Sequence, residues 1–130
     1  MPESQAIEEF LGQKEIAVVG ASRSPAKYGF IVYKKLKSAG YKVYAINPKT
    51  SSIDGDPCYP ELRSLPESVK AAVVITPPEI TEKIAAQAVR AGFKYVWLQP
   101  GAESEAAIDV LQANGIAVIY STCLLVRIAD

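Results

Sequence analysis

A glycine follows the first apolar run of the chain and opens a short polar loop. A glycine at a strand end lets backbone amides approach a phosphate, and hydroxyl or cationic side chains can add to that contact. The dinucleotide fingerprint G-x-G-x-x-G, placed from Gly20, would require glycines where the chain has Ser22 and Pro25. The loop is therefore compatible with phosphate binding and equally with an ordinary strand-to-helix turn capped by Ser24. The candidate phosphate contacts are Gly20, Ala21, Ser22, Arg23, Ser24 and Lys27.

A second polar segment, Asn47, Pro48 and Lys49, follows the second apolar run. Enzymes that bind NAD usually place an Asp or Glu at this point, about 20 residues beyond the glycine loop, to accept hydrogen bonds from ribose hydroxyls. A carboxylate would repel a ribose phosphate, whereas Lys49 would attract one. The segment therefore favours a nucleotide with an extra ribose phosphate, such as NADP or coenzyme A (CoA), over NAD. The alternative is a solvated surface lysine after a turn.

Two further polar segments also follow apolar runs. Thr76, Pro77 and Pro78 have the pattern of a helix start, with Thr76 as the cap, Pro77 in the first helical position and Glu79 completing a capping box. The same residues are compatible with an apolar wall against a base or a pantetheine arm. Later in the chain, Gln99 and Gly101 form a small polar loop of the kind that faces ligands, and Gly101 could equally be a turn.

Cys123 follows the last apolar run, with Arg127 as the nearest cation in the sequence. Thiol chemistry needs a lowered pKa, which in a chain without histidine has to come from a helix end or a cation. A buried, inert cysteine is the expected state, because free cysteines are among the most buried residues. Tyr28 and Trp97 are expected to belong to the core or to line a groove.

Composition excludes several classes of function. The 130 residues include 14 Lys plus Arg, 14 Asp plus Glu, two Cys and no His. The lack of histidine excludes Ser-His-Asp and Cys-His catalysis and any metal site with a histidine ligand. A net charge of zero disfavours duplex nucleic acid as a partner, and no apolar run approaches the ~18 residues of a membrane span. We expect a cytoplasmic protein without a signal peptide, with residues 1–130 forming one domain.

Short apolar runs that alternate with amphipathic stretches indicate the elements that position these loops. Strands are predicted over 16–19, 43–46, 71–75, 95–98 and 116–119, with helices between them and a small helix before residue 10. Residues 50–66, rich in Gly and Pro, are predicted to be loop with at most one short edge strand. This order predicts a doubly wound α/β domain: a mainly parallel sheet between two helix layers, with the ligand at the carboxyl ends of the strands.

Several motifs resemble the CoA-binding domain family over residues 14–123. The matching segments are Val18 to Ser22, Gly40 to Pro48, Ile53 to Gly55, Cys58 to Pro60, Ser64 to Pro66, Val96 to Gly101 and Gly115 to Ile116. The resemblance implies a Rossmann-like fold that holds CoA, with residues 20–23 at the diphosphate and residues 47–49 at the adenosine and its 3′-phosphate. It further implies that residues 76–78 lie along the nucleotide, and Gln99 and Gly101 nearer the pantetheine. Ligases of similar fold also use a phosphorylated histidine and an ATP-grasp partner, which this chain lacks.

The hypothesis is thus a module that binds CoA or an acyl-CoA through its diphosphate and 3′-phosphate without catalytic residues of its own. One alternative is an NADP-dependent oxidoreductase or sensor domain. Another is a thiol-based regulator in which CoA forms a mixed disulfide with Cys123, and a third is an interaction scaffold. The expected partner is a small molecule rather than nucleic acid or membrane, and self-association or a protein partner is compatible with a domain of this size.

Overall fold

The computed structural model describes residues 1–128, in which short strands alternate with helices. The strands are β1 (Glu15–Val19), β2 (Lys42–Ile46), β3 (Ser52–Ile53), β4 (Asp56–Tyr59), β5 (Ala71–Val74), β6 (Tyr95–Leu98) and β7 (Ala117–Ile119). The helices are α1 (Glu3–Leu11), α2 (Tyr28–Ser38), α3 (Pro78–Arg90), α4 (Glu105–Ala113) and α5 (Leu124–Arg127), with a 3₁₀ turn at Leu62–Ser64. None of the helices within residues 1–128 has the length and hydrophobicity needed to cross a membrane.

All strands join one sheet in the order β3-β4-β2-β1-β5-β6-β7. Every pairing is parallel except that of β3 with β4. Apart from β3, this is the strand order of a doubly wound nucleotide-binding sheet, with β1 at the centre. The strands that follow β1 in the chain are added first on its β2 side and then, from β5 onward, on its other side, so that the strand order reverses between β1 and β5. The predicted α/β fold class is confirmed, and all five predicted strands are present within one residue of their predicted ends.

The core divides between the two faces of the sheet. Alternate residues of β1 show this: Ala17 and Val19 belong to a cluster with α3 and α4, whereas Ile16 and Val18 belong to one with α1 and α2. Burial on both faces explains why β1 is a continuous apolar run instead of an alternating one. Trp97 lies in the second cluster, fully buried, as expected.

The prediction of a loop over residues 50–66 is wrong in part, because β3 and β4 form a hairpin there. Asp54 and Gly55 connect the two strands, both with positive φ (52° and 81°), as a tight two-residue hairpin turn requires. Lys34 and Lys37 of α2 hold Asp54 at 3.1 and 3.0 Å. Strands of two and four residues that include a proline carry too weak a pattern to be predicted, and the hairpin gains its stability from contacts with α2 and β2.

The predicted capping of α3 by Thr76 is also wrong. The helix begins at Pro78, with Pro77 at the cap position and no side-chain cap. The reason is local, because a residue that precedes proline is disfavoured in helical conformation, and Pro77 is accordingly extended (φ −59°, ψ 152°). The predicted capping box with Glu79 therefore does not form, and the helix starts one residue later than expected.

Candidate functional site

The loops singled out by the sequence meet at one edge of the sheet. Each follows a parallel strand: residues 20–27 follow β1, residues 47–50 β2, residues 75–77 β5, residues 99–104 β6 and residues 120–123 β7. Because the carboxyl ends of parallel strands lie at the same edge, the sequence prediction of a common site is consistent with the observed topology. Within this edge, the residues separate into a pocket on the β2 side and a thiol cluster on the β7 side.

The glycine loop (residues 20–27) runs close to two other backbone segments. Gly20 has a φ of +94°, and a Cβ there would lie 2.5 Å from the carbonyl oxygen of Ile75. Gly29, the second residue of α2, packs so tightly that a Cβ on it would overlap the Gly20 carbonyl oxygen. Gly29 therefore allows close helix–strand packing, the role of the third glycine in the dinucleotide fingerprint. Sequence reasoning missed Gly29, whose only signal is a glycine inside a predicted helix.

The polar residues of the glycine loop are exposed or partly so. The Ser22 hydroxyl accepts a hydrogen bond from the Ser24 amide at 3.1 Å, and the Ser24 carbonyl accepts one from the Lys27 amide at 3.0 Å. Ser24 does not cap α2, since Lys27 occupies the cap position and no side chain binds the first-turn amides. Arg23 and Lys27 are exposed. Tyr28, the first residue of α2, is exposed as well, and the N-terminus of a helix carries a partial positive charge.

Asn47 ties the glycine loop to the segment that carries Lys49. Its side-chain amide donates from Nδ2 to the Ala21 carbonyl at 2.9 Å, and its Oδ1 accepts from the Lys49 amide at 2.9 Å. The amide side chain supplies both the donor and the acceptor, whereas an ionised Asp could not donate to the carbonyl. The polar residue at the end of β2 is thus a bridge that fixes the position of Lys49 relative to the glycine loop.

A pocket of about 390 Å³ lies beside this bridge, between the ends of β1, β2 and β5 and the first turns of α3. Its cations are Lys49 and Lys83, and among residues 1–128 no Asp or Glu lines it. The predicted residues that line the pocket are Gly20, Asn47, Pro48, Lys49, Thr76 and Pro77. The lining residues that the sequence did not predict are Val19, Ile46, Pro60, Ile80, Lys83, Ile84 and Gln87. Mostly apolar walls with a few polar groups are typical of small-molecule sites.

The pocket wall formed by Thr76 and Pro77 is held in place by two threonines. The Thr76 and Thr81 hydroxyls are 2.8 Å apart, and the Thr81 hydroxyl also bonds the carbonyls of Thr76 and Pro77 at 3.4 and 3.2 Å. Thr81 is almost fully buried, so its hydroxyl needs these partners. Pro77 and Pro78 remain exposed. The hydroxyl of Thr76 thus supports the pocket wall and does not cap α3.

The thiol cluster consists of Cys123, Tyr28 and Gln99. The Cys123 sulfur lies 2.7 Å from the Tyr28 hydroxyl and 3.4 Å from Gln99 Nε2. Gln99 is buried, with 1% of its surface exposed, and its Oε1 accepts from the Leu124 amide at 2.7 Å. The segment before the cysteine is fixed by Trp97, whose indole N–H donates to the Thr122 carbonyl at 2.9 Å.

The expectation that Cys123 is buried is wrong, because the residue is only partly buried. Burial by itself raises the pKa of the Cys123 thiol, but hydrogen bonds from Tyr28, Gln99 and two backbone amides outweigh it, and the net direction is downward. The hydrogen bond with Cys123, with a smaller contribution from burial, raises the pKa of the Tyr28 hydroxyl. For Cys58, by contrast, burial raises the pKa of the thiol. At a given pH, Cys123 is therefore expected to have the larger fraction of thiolate of the two cysteines.

The remaining predicted residues lie apart from the pocket. Gly101 is an exposed turn residue with a φ of +95°, and its amide donates to the Glu103 carboxylate at 2.8 Å. Helix α4 begins at Glu105 and is capped by the buried Ser104, which accepts from the Ala107 amide at 3.3 Å.

The fold and the site together define a class. A parallel sheet with the doubly wound strand order, a glycine loop at the end of β1 and a pocket at the carboxyl edge are the features of a Rossmann-like domain.

Comparison with known proteins gives the family within that class. Residues 14–129 match the family model described as a CoA binding domain, and the chain belongs to that family. Acetate–CoA ligase (ADP-forming) I of Archaeoglobus fulgidus is 30% identical over 128 residues, which cover 91% of this chain and 19% of the ligase. The chain thus spans about a fifth of the length of this ligase. The uncharacterized Bacillus subtilis protein YneT is 28% identical over 126 residues, with 96% of this chain and 93% of YneT covered.

Solved structures agree with this assignment. A conserved hypothetical protein of Pyrococcus furiosus superposes with a TM-score of 0.84 at 43% identity, covering 88% of this chain and 98% of that one. An acetyl-coenzyme A synthetase of Candidatus Korarchaeum cryptofilum, solved with phosphate and ADP, gives a TM-score of 0.72 at 31% identity, covering 81% of this chain and 25% of that one. The chain is therefore homologous to the CoA-binding part of larger ligases and similar in extent to proteins of single-domain size.

Proposed function

We propose that this protein binds CoA or an acyl-CoA through the diphosphate and the 3′-phosphate, and that it has no catalytic residues of its own. The observation that carries the proposal is the pocket beside β2, where Lys49 belongs to the segment that carries a carboxylate in NAD enzymes and, within residues 1–128, no acid lines the walls. A site of this charge suits an adenosine that bears an extra phosphate.

The proposal assigns each part of CoA to a part of the carboxyl edge. The adenosine and its 3′-phosphate occupy the pocket, between Pro48 and Pro77 and beside Lys49. The diphosphate lies at the glycine loop and the N-terminus of α2, where amide groups and the helix dipole favour negative charge. The pantetheine arm then runs toward the β7 side of the edge, where Gln99, Gly101 and Cys123 lie.

Binding without catalysis is supported by the types of residue in the pocket. The sequence has no histidine, so no phosphohistidine can form, and none of the pocket-lining residues within 1–128 carries a carboxylate that could serve in an acid–base pair.

Calorimetric titration with CoA, dephospho-CoA and NADPH tests the proposal. CoA should bind more tightly than dephospho-CoA, and Lys49→Ala should weaken CoA by about 1–3 kcal/mol, the value of a charge-assisted hydrogen bond, while leaving dephospho-CoA nearly unchanged. Lys94→Ala is the matched control, because Lys94 is an exposed lysine just before β6, at the opposite edge of the sheet.

Each other outcome has a distinct meaning. Equal affinity for CoA and dephospho-CoA would overturn the role of Lys49 and of the 3′-phosphate. Tighter binding of NADPH than of CoA would favour the NADP-dependent alternative. No binding of any of the three would leave the interaction scaffold as the better description.

A further inference from the structure

Lys83 of α3 lines the same pocket as Lys49 but belongs to a different wall. Ile80, Lys83, Ile84 and Gln87 follow one another at helical spacing along one side of α3, and all four line the pocket. Ile84 is buried in the core below, whereas Lys83 is exposed. The pocket thus has one ammonium group on the β2 side and a second on the helix side.

The N-terminus of α3 is poorly suited to hold an anion in this pocket. Pro77 and Pro78, at the cap and first positions of α3, have no backbone N–H, so the helix lacks two of the amides that a helix N-terminus usually presents. The first turn also carries the acidic Glu79. Negative charge that enters the pocket beside α3 therefore has to be neutralised by side chains.

The two lysines are available for that purpose. Within residues 1–128, neither the Lys49 nor the Lys83 ammonium has an ion-pair partner, and no carboxylate lines the pocket. A phosphodiester would bring one negative charge, whereas a phosphomonoester carries about −1.5 to −2 at pH 7, with a second pKa near 6. Two unpaired cations match the charge of the monoester.

We infer that Lys83 is a specificity-determining residue that acts with Lys49 to select a nucleotide whose ribose carries a dianionic phosphomonoester. The inference rests on the proposed function and adds a residue and a protonation state to it. Pro48, Pro60 and Ile80 supply apolar surface for the base, while the lysines hold the phosphate from two sides. The 3′-phosphate of CoA and the 2′-phosphate of NADPH share this chemistry, so both ligands are included in the test.

The test compares Lys83→Gln with the unaltered protein by calorimetry at pH 7.5. CoA should bind to the variant about five- to twentyfold more weakly, a loss of affinity between that expected for an exposed ion pair and that for a charge-assisted hydrogen bond. The affinity for dephospho-CoA should change little. Lys83→Arg, which keeps the charge, should restore most of the loss. Arg90→Ala is the matched control, because Arg90 is an exposed cation in the last turn of the same helix, outside the pocket.

Repeating the titrations at pH 5.5 tests the dianion itself. CoA affinity of the unaltered protein should fall by about fourfold, because only about a quarter of a group with a pKa near 6 is dianionic at that pH. Dephospho-CoA should show no such fall, and in Lys83→Gln the fall should be smaller. An unchanged CoA affinity at pH 5.5 would overturn the selection of the dianion.

The outcomes separate this inference from the proposed function. If CoA binds with a clear preference over dephospho-CoA and Lys83→Gln keeps that preference, the inference fails and the proposed function stands. Equal weakening of both ligands in Lys83→Gln would also overturn the inference. If NADPH binds more tightly than CoA and Lys83→Gln weakens it, the proposed function fails while the role of Lys83 stands. No binding of any of these ligands overturns both.

Discussion

Substituting alanine for Gly29 should destabilise the protein and disturb the glycine loop at the same time. The added Cβ would overlap the Gly20 carbonyl oxygen and lie within 3.0 Å of the Gly20 carbonyl carbon and 3.2 Å of the Ala21 Cα. All three neighbours are backbone atoms, so no side-chain rotation can relieve the overlap. Helix α2 and the glycine loop would have to move apart.

The expected cost follows from this geometry. Burying one methyl group gains about 0.8 kcal/mol, whereas forcing extra volume into a packed region costs about 1–3 kcal/mol or more. With a rigid backbone on every side, we expect a loss of about 2–3 kcal/mol in the free energy of unfolding, or roughly 10 °C in Tm. Urea unfolding without ligand measures the loss of stability. Calorimetry should also show weaker CoA binding, since the displaced loop is the proposed diphosphate site.

Gly12→Ala is the matched control. Gly12 lies at the end of α1 with a φ of −81°, and a Cβ there would meet only ordinary contacts at 3.5 Å. This substitution should leave stability unchanged or raise it by about 0.4–1 kcal/mol, because alanine has less conformational freedom in the unfolded chain. Equal stability of the Gly29→Ala and Gly12→Ala variants would refute the close-approach reasoning.

Three further predictions concern ionisable and polar groups. Burial raises the pKa of Cys123, but the hydrogen bond from the Tyr28 hydroxyl helps to lower it. Tyr28→Phe should therefore move the midpoint of iodoacetamide alkylation to higher pH, and an unchanged midpoint would contradict this. The hydrogen bond from Lys37 holds the pKa of Asp56 below its ordinary value, so the stability that this carboxylate contributes is lost as the pH falls through the lowered pKa. Acid titration of Asp56→Asn should show a smaller loss of stability. Asn47→Asp should weaken both stability and CoA binding, measured by urea unfolding and calorimetry, because a carboxylate faces the carbonyl of the glycine loop and repels phosphate.

The sequence was sufficient to predict the sheet and the set of loops that meet at its edge. The runs at 16–19 and 71–75 are apolar without alternation, which is typical of central parallel strands covered on both faces. Once the strands are parallel, residues such as Asn47 and Cys123 necessarily lie at the same edge. No knowledge of side-chain contacts is needed for that step.

What sequence reasoning missed depends on contacts between distant segments. Gly29 lies nine positions after Gly20, outside the spacing of the known fingerprint, and its role depends on how closely α2 approaches β1. Lys83 is an exposed residue inside α3, next to the buried Ile84. Whether such a residue faces the pocket depends on how the helix is rotated about its axis relative to the sheet. The Tyr28–Cys123 contact joins residues 95 positions apart.

The hairpin of β3 and β4 affects whether copies of the protein can associate through the edges of their sheets. Unpaired strand edges can template the addition of strands from other chains, which leads to aggregation. Here one margin of the sheet ends in β3, which is only two residues long. The other margin ends in β7, only three residues long and packed against α1. Both margins therefore offer few hydrogen-bonding groups to a neighbouring molecule, which limits edge-to-edge polymerisation of the sheet at high concentration.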